Sequence, residues 1–286
     1  VDPHDADRIY VMGVPLVASV DGGATWQRAD EDHVHVDHHD LWLDPERPGY
    51  AISGNDGGLN VTYDGGASWT KLNRPAVGQF YTVAVDNAEP YNVYGGLQDN
   101  GVWVGPSTYR AGEGWRAEGE YPYRRLLGGD GMQVQVDDRD GTVYTGFQFG
   151  NYVRMNRSGQ GRAQRIVPQH ELGERPYRWN WQAPIWLSRH APDVLYFGSN
   201  KVHRSLDRGD TWETMSDDLT GGGRPGDVPY GTLSTLHESP LEFGLLAAGT
   251  DDGKVWTSRD GGKSWQEAHF VGPDLGKYAW RQFAFT

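Results

Sequence analysis

One eight-residue phrase occurs four times in this chain, and its spacing constrains the fold more than any other feature. Ser19–Trp26 (SVDGGATW) returns as Thr62–Trp69 (TYDGGASW), as Ser205–Trp212 (SLDRGDTW) and as Ser258–Trp265 (SRDGGKSW). The shared pattern is Ser/Thr-x-Asp-x-Gly-x-Ser/Thr-Trp. Self-similarity of this kind marks a repeat fold whose units must stack to bury their apolar faces. Each fixed position has a physical reason. The aspartate carboxylate accepts backbone N–H bonds inside a tight turn, and the flanking hydroxyls brace it. The glycine permits positive φ where the chain reverses. The tryptophan opens the next strand and carries a large ring to bury against a neighbour. Asp21, Trp26, Asp64, Trp69, Asp207, Trp212, Asp260 and Trp265 are therefore read as hairpin staples rather than catalytic groups.

Asp21 and Asp64 lie 43 residues apart, Asp207 and Asp260 lie 53 apart, and the gap of 143 from Asp64 to Asp207 leaves room for two further units with degenerate turns. Those units are visible at 80–115 (TVAVDN, NVYGGLQDNGVWVG, GW) and 132–167 (QVQVDD, GTVYTGFQFGNYVRMN). Period-2 alternation broken by Gly, Asn and Asp indicates short antiparallel strands. In one unit strand A ends at Leu41–Pro45, strand B is Tyr50–Ser53, a turn follows at Asn55–Gly58, strand C is Leu59–Tyr63 and strand D begins at Trp69. Later units begin at Pro184–Leu187 and Thr232–Leu236. The expected fold is all-β: a six-bladed β-propeller of four-stranded antiparallel blades, with the repeated turn joining strands C and D. One domain is expected over 1–286, with blades at about 1–30 plus 277–286, 35–73, 79–117, 130–168, 182–217 and 230–268. Residues 1–3 read as the end of a strand A and the alternating 279–286 as its start. The C-terminal strand is thus expected to complete the first blade and close the ring, leaving few exposed sheet edges. A chain cut from a longer protein is the alternative.

Composition agrees and excludes several classes. Forty glycines, 12 tryptophans and 15 tyrosines suit short strands, tight turns and aromatics wedged between sheets. A net charge of −13, with Arg124–Arg125 the one adjacent basic pair, disfavours a nucleic-acid backbone as partner. No apolar run reaches the roughly 18–20 residues that a membrane-spanning helix needs. The absence of cysteine excludes disulfides, thiolate metal sites and cysteine nucleophiles.

The motif is the Asp box, and the chain resembles the large bacterial proteins with sortilin-like, BNR/Asp-box propellers that are often labelled glycosyl hydrolases. Beyond the boxes the resemblance rests on HVDHHDLWLDP (35–45), GNDGGL (54–59), GGLQDNGVW (95–103), GGDGM (128–132), RWNWQAPIWLS (178–188), GSNKVHRSLDRGDTW (198–212) and GTDDGKVW (249–256). It covers nearly the whole chain. It implies the propeller fold and a secreted, periplasmic or cell-surface location, but little chemistry, because Asp boxes are shared by sialidases, two-domain xyloglucanases and sortilin receptors.

Propeller geometry places the B–C turns and the approaches to each strand A on one face, around the mouth of a central channel. The turns Asn55–Asp56, Gln98–Asn100 and Asp251–Asp252 then share a face with His35, Asp37, His38 and His39; Gln79, Phe80 and Tyr81; Asp130; Arg178, Trp179 and Asn180; and Tyr230. Polar groups among convergent aromatics suit a glycan or polypeptide ligand. The plain alternative is that each Asn-Asp-Gly turn only bonds its own backbone.

Alternation of His35, Asp37 and His39 on one strand side invites zinc, and the acidic turns invite calcium. Consecutive same-face residues stand about 6–7 Å apart and the turns lie on different blades, so no metal or other cofactor is expected. Three functions remain open. The first is a binding module using the mouth. The second is a glycoside hydrolase with paired carboxylates drawn from Asp130, Asp99 and Asp56, and with Trp179 or Trp181 stacking on sugar. Such carboxylates stand about 5–5.5 Å apart for retention or about 6.5–9.5 Å for inversion. Sialidase chemistry lacks its Phe-Arg-Ile-Pro motif and its trio of arginines here. The third is a structural module of a larger assembly.

Overall fold

The structure, a computed structural model, describes residues 1–30, 33–72, 78–110, 122–226 and 228–268. Every regular element among them is a β-strand, and the strands form six antiparallel sheets in which sequence neighbours pair. The chain divides into two compact units, 1–79 and 80–286.

The first unit holds two sheets. One has three strands, β1 (Ile9–Val11), β2 (Val17–Ser19) and β3 (Gln27–Arg28); the other has β4 (His38–Leu43), β5 (Ala51–Asn55), β6 (Gly58–Thr62) and β7 (Thr70–Leu72). Leu16, Val34 and Trp69 form the core between them, joined by Tyr10, Ala29 and Leu41. The closing strand expected at 279–286 lies outside the described residues, as does the Gly-Trp pair at 114–115.

The second unit holds four sheets of four strands. The third sheet is β8 (Phe80–Val85), β9 (Asn92–Leu97), β10 (Gly101–Pro106) and β11 (Arg124–Leu127); the fourth is β12 (Val134–Asp137), β13 (Thr142–Phe147), β14 (Asn151–Asn156) and β15 (Gln164–Arg165). The fifth is β16 (Ile185–Leu187), β17 (Leu195–Gly198), β18 (Val202–Ser205) and β19 (Glu213–Thr214); the sixth is β20 (Leu233–Glu238), β21 (Leu246–Thr250), β22 (Val255–Ser258) and β23 (Gln266–Glu267). The third sheet therefore runs to Leu127 rather than ending at 117, because its fourth strand follows a longer connection than the boxed turns allow.

Within this unit the first strand of each sheet lies beside the first strand of the next: β8 beside β12, β12 beside β16, β16 beside β20. Gln133, just before β12, and Gln135 on it tighten that contact, each accepting a backbone N–H from β16 (Ile185 at 3.1 Å, Leu187 at 3.4 Å) on its side-chain oxygen. Apolar clusters fill the space between consecutive sheets, as with Met132, Tyr144 and Tyr152 against Ile185 and Phe197. Three fully buried tyrosines recur at one place on the second strands, Tyr94, Tyr144 and Tyr196. Each ring contributes about 1.5–3 kcal/mol by leaving water, and each hydroxyl finds a charged partner: Tyr94 donates to Asp86 (2.9 Å), Tyr196 to Glu238 (3.2 Å), and Tyr144 accepts from Arg208 (3.1 Å).

The four repeated turns share one hydrogen-bond pattern. The first hydroxyl donates to the aspartate (2.7–2.9 Å), and the glycine N–H donates to that hydroxyl (2.7–2.9 Å). The second Ser/Thr gives both its N–H and its hydroxyl to the two carboxylate oxygens. Donors on every side hold these carboxyls low, at about 2 for Asp21, Asp207 and Asp260, led by the bond from the second Ser/Thr hydroxyl. The tryptophans differ more than their shared position suggests: Trp69 is buried and donates to Ala29 O at 2.7 Å, whereas Trp26 stays exposed.

Candidate functional site

The residues singled out at strand approaches and B–C turns fall into two groups, one in each unit. In the first unit His35 and Asp37 precede β4 and are not part of an extended strand. Asp37 sits at φ 62°, which breaks the alternation that would have put His35, Asp37 and His39 on one side. The short aspartate tolerates this left-handed conformation. Asp37 N–H donates to Val14 O and His38 N–H to Gly13 O, both at 2.9 Å, fastening the approach to β4 onto the β1–β2 turn. His38 then turns inward, its Nδ1 2.8 Å from Ser53 Oγ and its Nε2 3.4 Å from Asp30. His39 turns outward and meets Asp56 at 2.7 Å. Among the described residues no group of three or more His, Asp or Glu side chains is placed to hold a metal ion.

In the second unit the predicted residues converge at one end of the sheets, where the B–C turns meet the approaches to the next first strand. Gly131 N–H donates to Leu97 O (2.9 Å), Phe149 N–H to Trp181 O (3.2 Å) and Leu233 N–H to Ser199 O (2.7 Å). Side chains reinforce these contacts. Asp130, buried, accepts the Asp99 N–H at 2.7 Å on one oxygen and Gln148 Nε2 at 2.7 Å on the other. Asp251, also buried, accepts Gly231 N–H, Thr232 N–H and the Thr232 hydroxyl, and that hydroxyl accepts Asn180 Nδ2 at 2.9 Å. Arg178 is spent on Asp218 (2.7 Å), Thr220 (3.0 Å) and Gly231 O (3.0 Å). Trp179 packs its ring on Phe197 at 4.7 Å and over the Gly150 backbone, as part of the core. Asp130, Arg178, Trp179 and Asn180 thus fasten one sheet to the next, and Asp251 braces the approach to β20 within its own sheet.

One half-buried cluster at this end is of a different kind. Trp181 Nε1 donates to the Tyr81 hydroxyl at 2.9 Å, and that hydroxyl donates to Gln98 Oε1. Burial, together with the Asp130 and Asp99 carboxylates, pushes the Tyr81 phenol up. Phe149 sets its ring edge-on to Trp181, centroids 5.1 Å apart. Gln98 Nε2 keeps no partner among the described residues. Gln148 and Phe149 are absent from the sequence-based set although a signal existed: Leu97-Gln98-Asp99-Asn100 and Phe147-Gln148-Phe149-Gly150 occupy the same turn in consecutive sheets.

No family model matches the chain. It is 27% identical over 113 residues to vacuolar protein sorting/targeting protein 10 of Emericella nidulans, a stretch covering 37% of this chain and 7% of that protein. The chain thus spans a small part of the relative's length. Among solved structures it is similar to a GH74 xyloglucanase from Xanthomonas campestris (17% identity, 96% of this chain and 45% of that one, TM-score 0.42). It is similar also to YCF48 bound to D1 peptide (16% identity, 96% and 82%, TM-score 0.43). A third likeness is to the extracellular domain of the one component system BT4673 from B. thetaiotaomicron (12% identity, 93% and 33%, TM-score 0.45).

Proposed function

We propose that this chain, which resembles the sortilin-like Asp-box repeat proteins, is an exported propeller module that binds a glycan or a polypeptide. The ligand would sit where the β9–β10 and β13–β14 turns meet the approaches to β12 and β16. The observation that carries the reading is the state of the acids there. Both oxygens of Asp130 accept hydrogen bonds from its own chain, as do both oxygens of Asp251 at the β21–β22 turn. A general acid or base needs a carboxyl within reach of substrate, and these two are buried and engaged. Beside Asp130 stand the phenol, indole and amide of Tyr81, Trp181 and Gln98, groups suited to recognition rather than proton transfer.

The test pairs binding with turnover. Wild-type protein is screened against arrayed oligosaccharides and a peptide library, and every retained ligand is then incubated with protein and analysed for cleavage. The expected result is retention without turnover. Hydrolysis by the wild type that Asp99→Ala and Asp130→Ala both abolish, with folding checked by circular dichroism, would establish the hydrolase instead.

A further inference from the structure

Four non-glycine residues among those described adopt positive φ, and three of them, Asp37, Asp99 and Arg208, are polar. The fourth, Phe149 at φ 61°, is a bulky aromatic in a conformation that favours glycine. Such strain persists where the surroundings impose it, and it gathers at ligand sites. Here the strained turn delivers a half-buried phenyl ring to the face of the cluster that already holds Trp181 and Tyr81. The groups bonded to these rings are neutral, with the Asp130 and Asp99 carboxylates near the Tyr81 phenol. Gln98 offers its Nε2, the Tyr81 hydroxyl is bonded to Gln98 and Trp181, and of the arginines at this end Arg178 is tied to Asp218 while Arg125 donates its Nε to Leu127 O at 3.4 Å. Asp130 spends both oxygens on backbone and amide donors, so it has little left with which to grip a cationic side chain.

Resting on the binding-module reading above, we infer that Tyr81, Phe149 and Trp181 form an aromatic seat for the ring of a neutral sugar, with Gln98 as its polar reader. A pyranose presents a C–H face to an aromatic ring and hydroxyls at its rim, which matches these rings and the Gln98 amide. An acidic sugar or a peptide carboxylate would meet the Asp99 and Asp130 carboxylates that stand beside the seat.

The full chain is titrated, by calorimetry, with cello-, xylo- and manno-oligosaccharides, with tri-galacturonate, and with peptides recovered from a random phage library. Phe149→Gly is the central variant, because glycine takes the same turn without strain and the fold is kept. Neutral oligosaccharides should bind, and Phe149→Gly and Gln98→Ala should each weaken them at least fivefold with an unchanged melting temperature. Binding of galacturonate or peptides in place of neutral sugars overturns the sugar assignment and leaves the module reading standing. Neutral sugar binding that Phe149→Gly leaves intact overturns the seat. Cleavage of the bound oligosaccharide overturns the module reading alone, and a chain that takes none of the probes overturns both.

Discussion

Arg208 Nη2 lies 2.8 Å from the Asp140 carboxylate, although the Arg208 backbone sits at φ 63°, where the other three turns place Gly22, Gly65 and Gly261. The left-handed conformation costs an L-residue about 1–2 kcal/mol. It is offset by bonds to Asp140, Thr142 and Tyr144 in the neighbouring sheet and by a 3.3 Å approach to Asp137. Arg208→Gly trades one for the other. After solvent screening of the half-exposed Asp140 pair, a net loss of about 1 kcal/mol is expected. Arg208→Ala keeps the strain and loses the bonds, so it should fall about 1 kcal/mol below Arg208→Gly in urea denaturation. The reverse order would show that the backbone is relaxed there.

His203 offers a pH test. It is fully buried among Tyr177, Trp179 and Phe197, with Ser199 Oγ 2.8 Å from Nε2 and Thr214 Oγ1 3.2 Å from Nδ1. Burial drives its pKa down to about 3 from an ordinary 6.5, with Lys201 adding to the effect. The unfolded chain therefore binds this proton near pH 6.5 and the fold does not. Stability is whole above 6.5 and falls by about 1.4 kcal/mol per pH unit as pH drops toward 3. His237, also lowered by burial, contributes in the same direction. His203→Gln should remove one proton's worth of that slope, and NMR should find the His203 ring neutral at pH 5.

A second, more acid window belongs to the boxes. Asp207 titrates at about 2 in the fold against an ordinary 3.8, chiefly because Thr211 donates its hydroxyl. Its contribution is complete above about pH 4 and disappears as pH falls through 2. Asp207→Ala should cost about 1 kcal/mol at pH 7, the screened worth of the lost turn bonds. Melting curves of variant and wild type should converge near pH 2.

The parts of this fold that were legible are those held by local chemistry. The four boxes bind themselves within one turn, so their sequence displays every partner. The approximate position of all six sheets followed from them and from period-2 alternation. What escaped depends on partners distant in sequence. Asp130 looked like a loose acid because Gln148, its amide partner, lies a hairpin away. Arg178 was expected among the ligand-binding residues of the mouth, and its bonds go to Asp218, Thr220 and Gly231. The alternation of His35, Asp37 and His39 failed because Asp37 takes its left-handed turn only with the β1–β2 turn there to accept its N–H and that of His38. The strain at Phe149 has one mark in the sequence, its place opposite Asp99 in the equivalent turn of the preceding sheet, and its own residue type gives none.

The phrases GGLQDNGVW and GGDGM, which suggested a site, have a packing explanation that can be tested. A methyl group on Gly96 would run into the carbonyl oxygens of Gly131 and Met132, and one on Gly131 into the carbonyl of Gly101. Both glycines are required for space rather than for positive φ, because two backbones touch where the third sheet hands over to the fourth. Rigid carbonyls cannot yield as a side chain would, which puts the cost at the upper end of overpacking, about 3 kcal/mol. Gly131→Ala should lower unfolding free energy by that amount and open the Gly131 N–H to Leu97 O bond, raising its amide exchange rate. Gly226→Ala, in the same unit with its nearest neighbouring atom, Val228 O, 3.8 Å away, should stay within about 0.5 kcal/mol of wild type. Equal losses in the two variants would mean that the close contact between these sheets carries no special stabilising role.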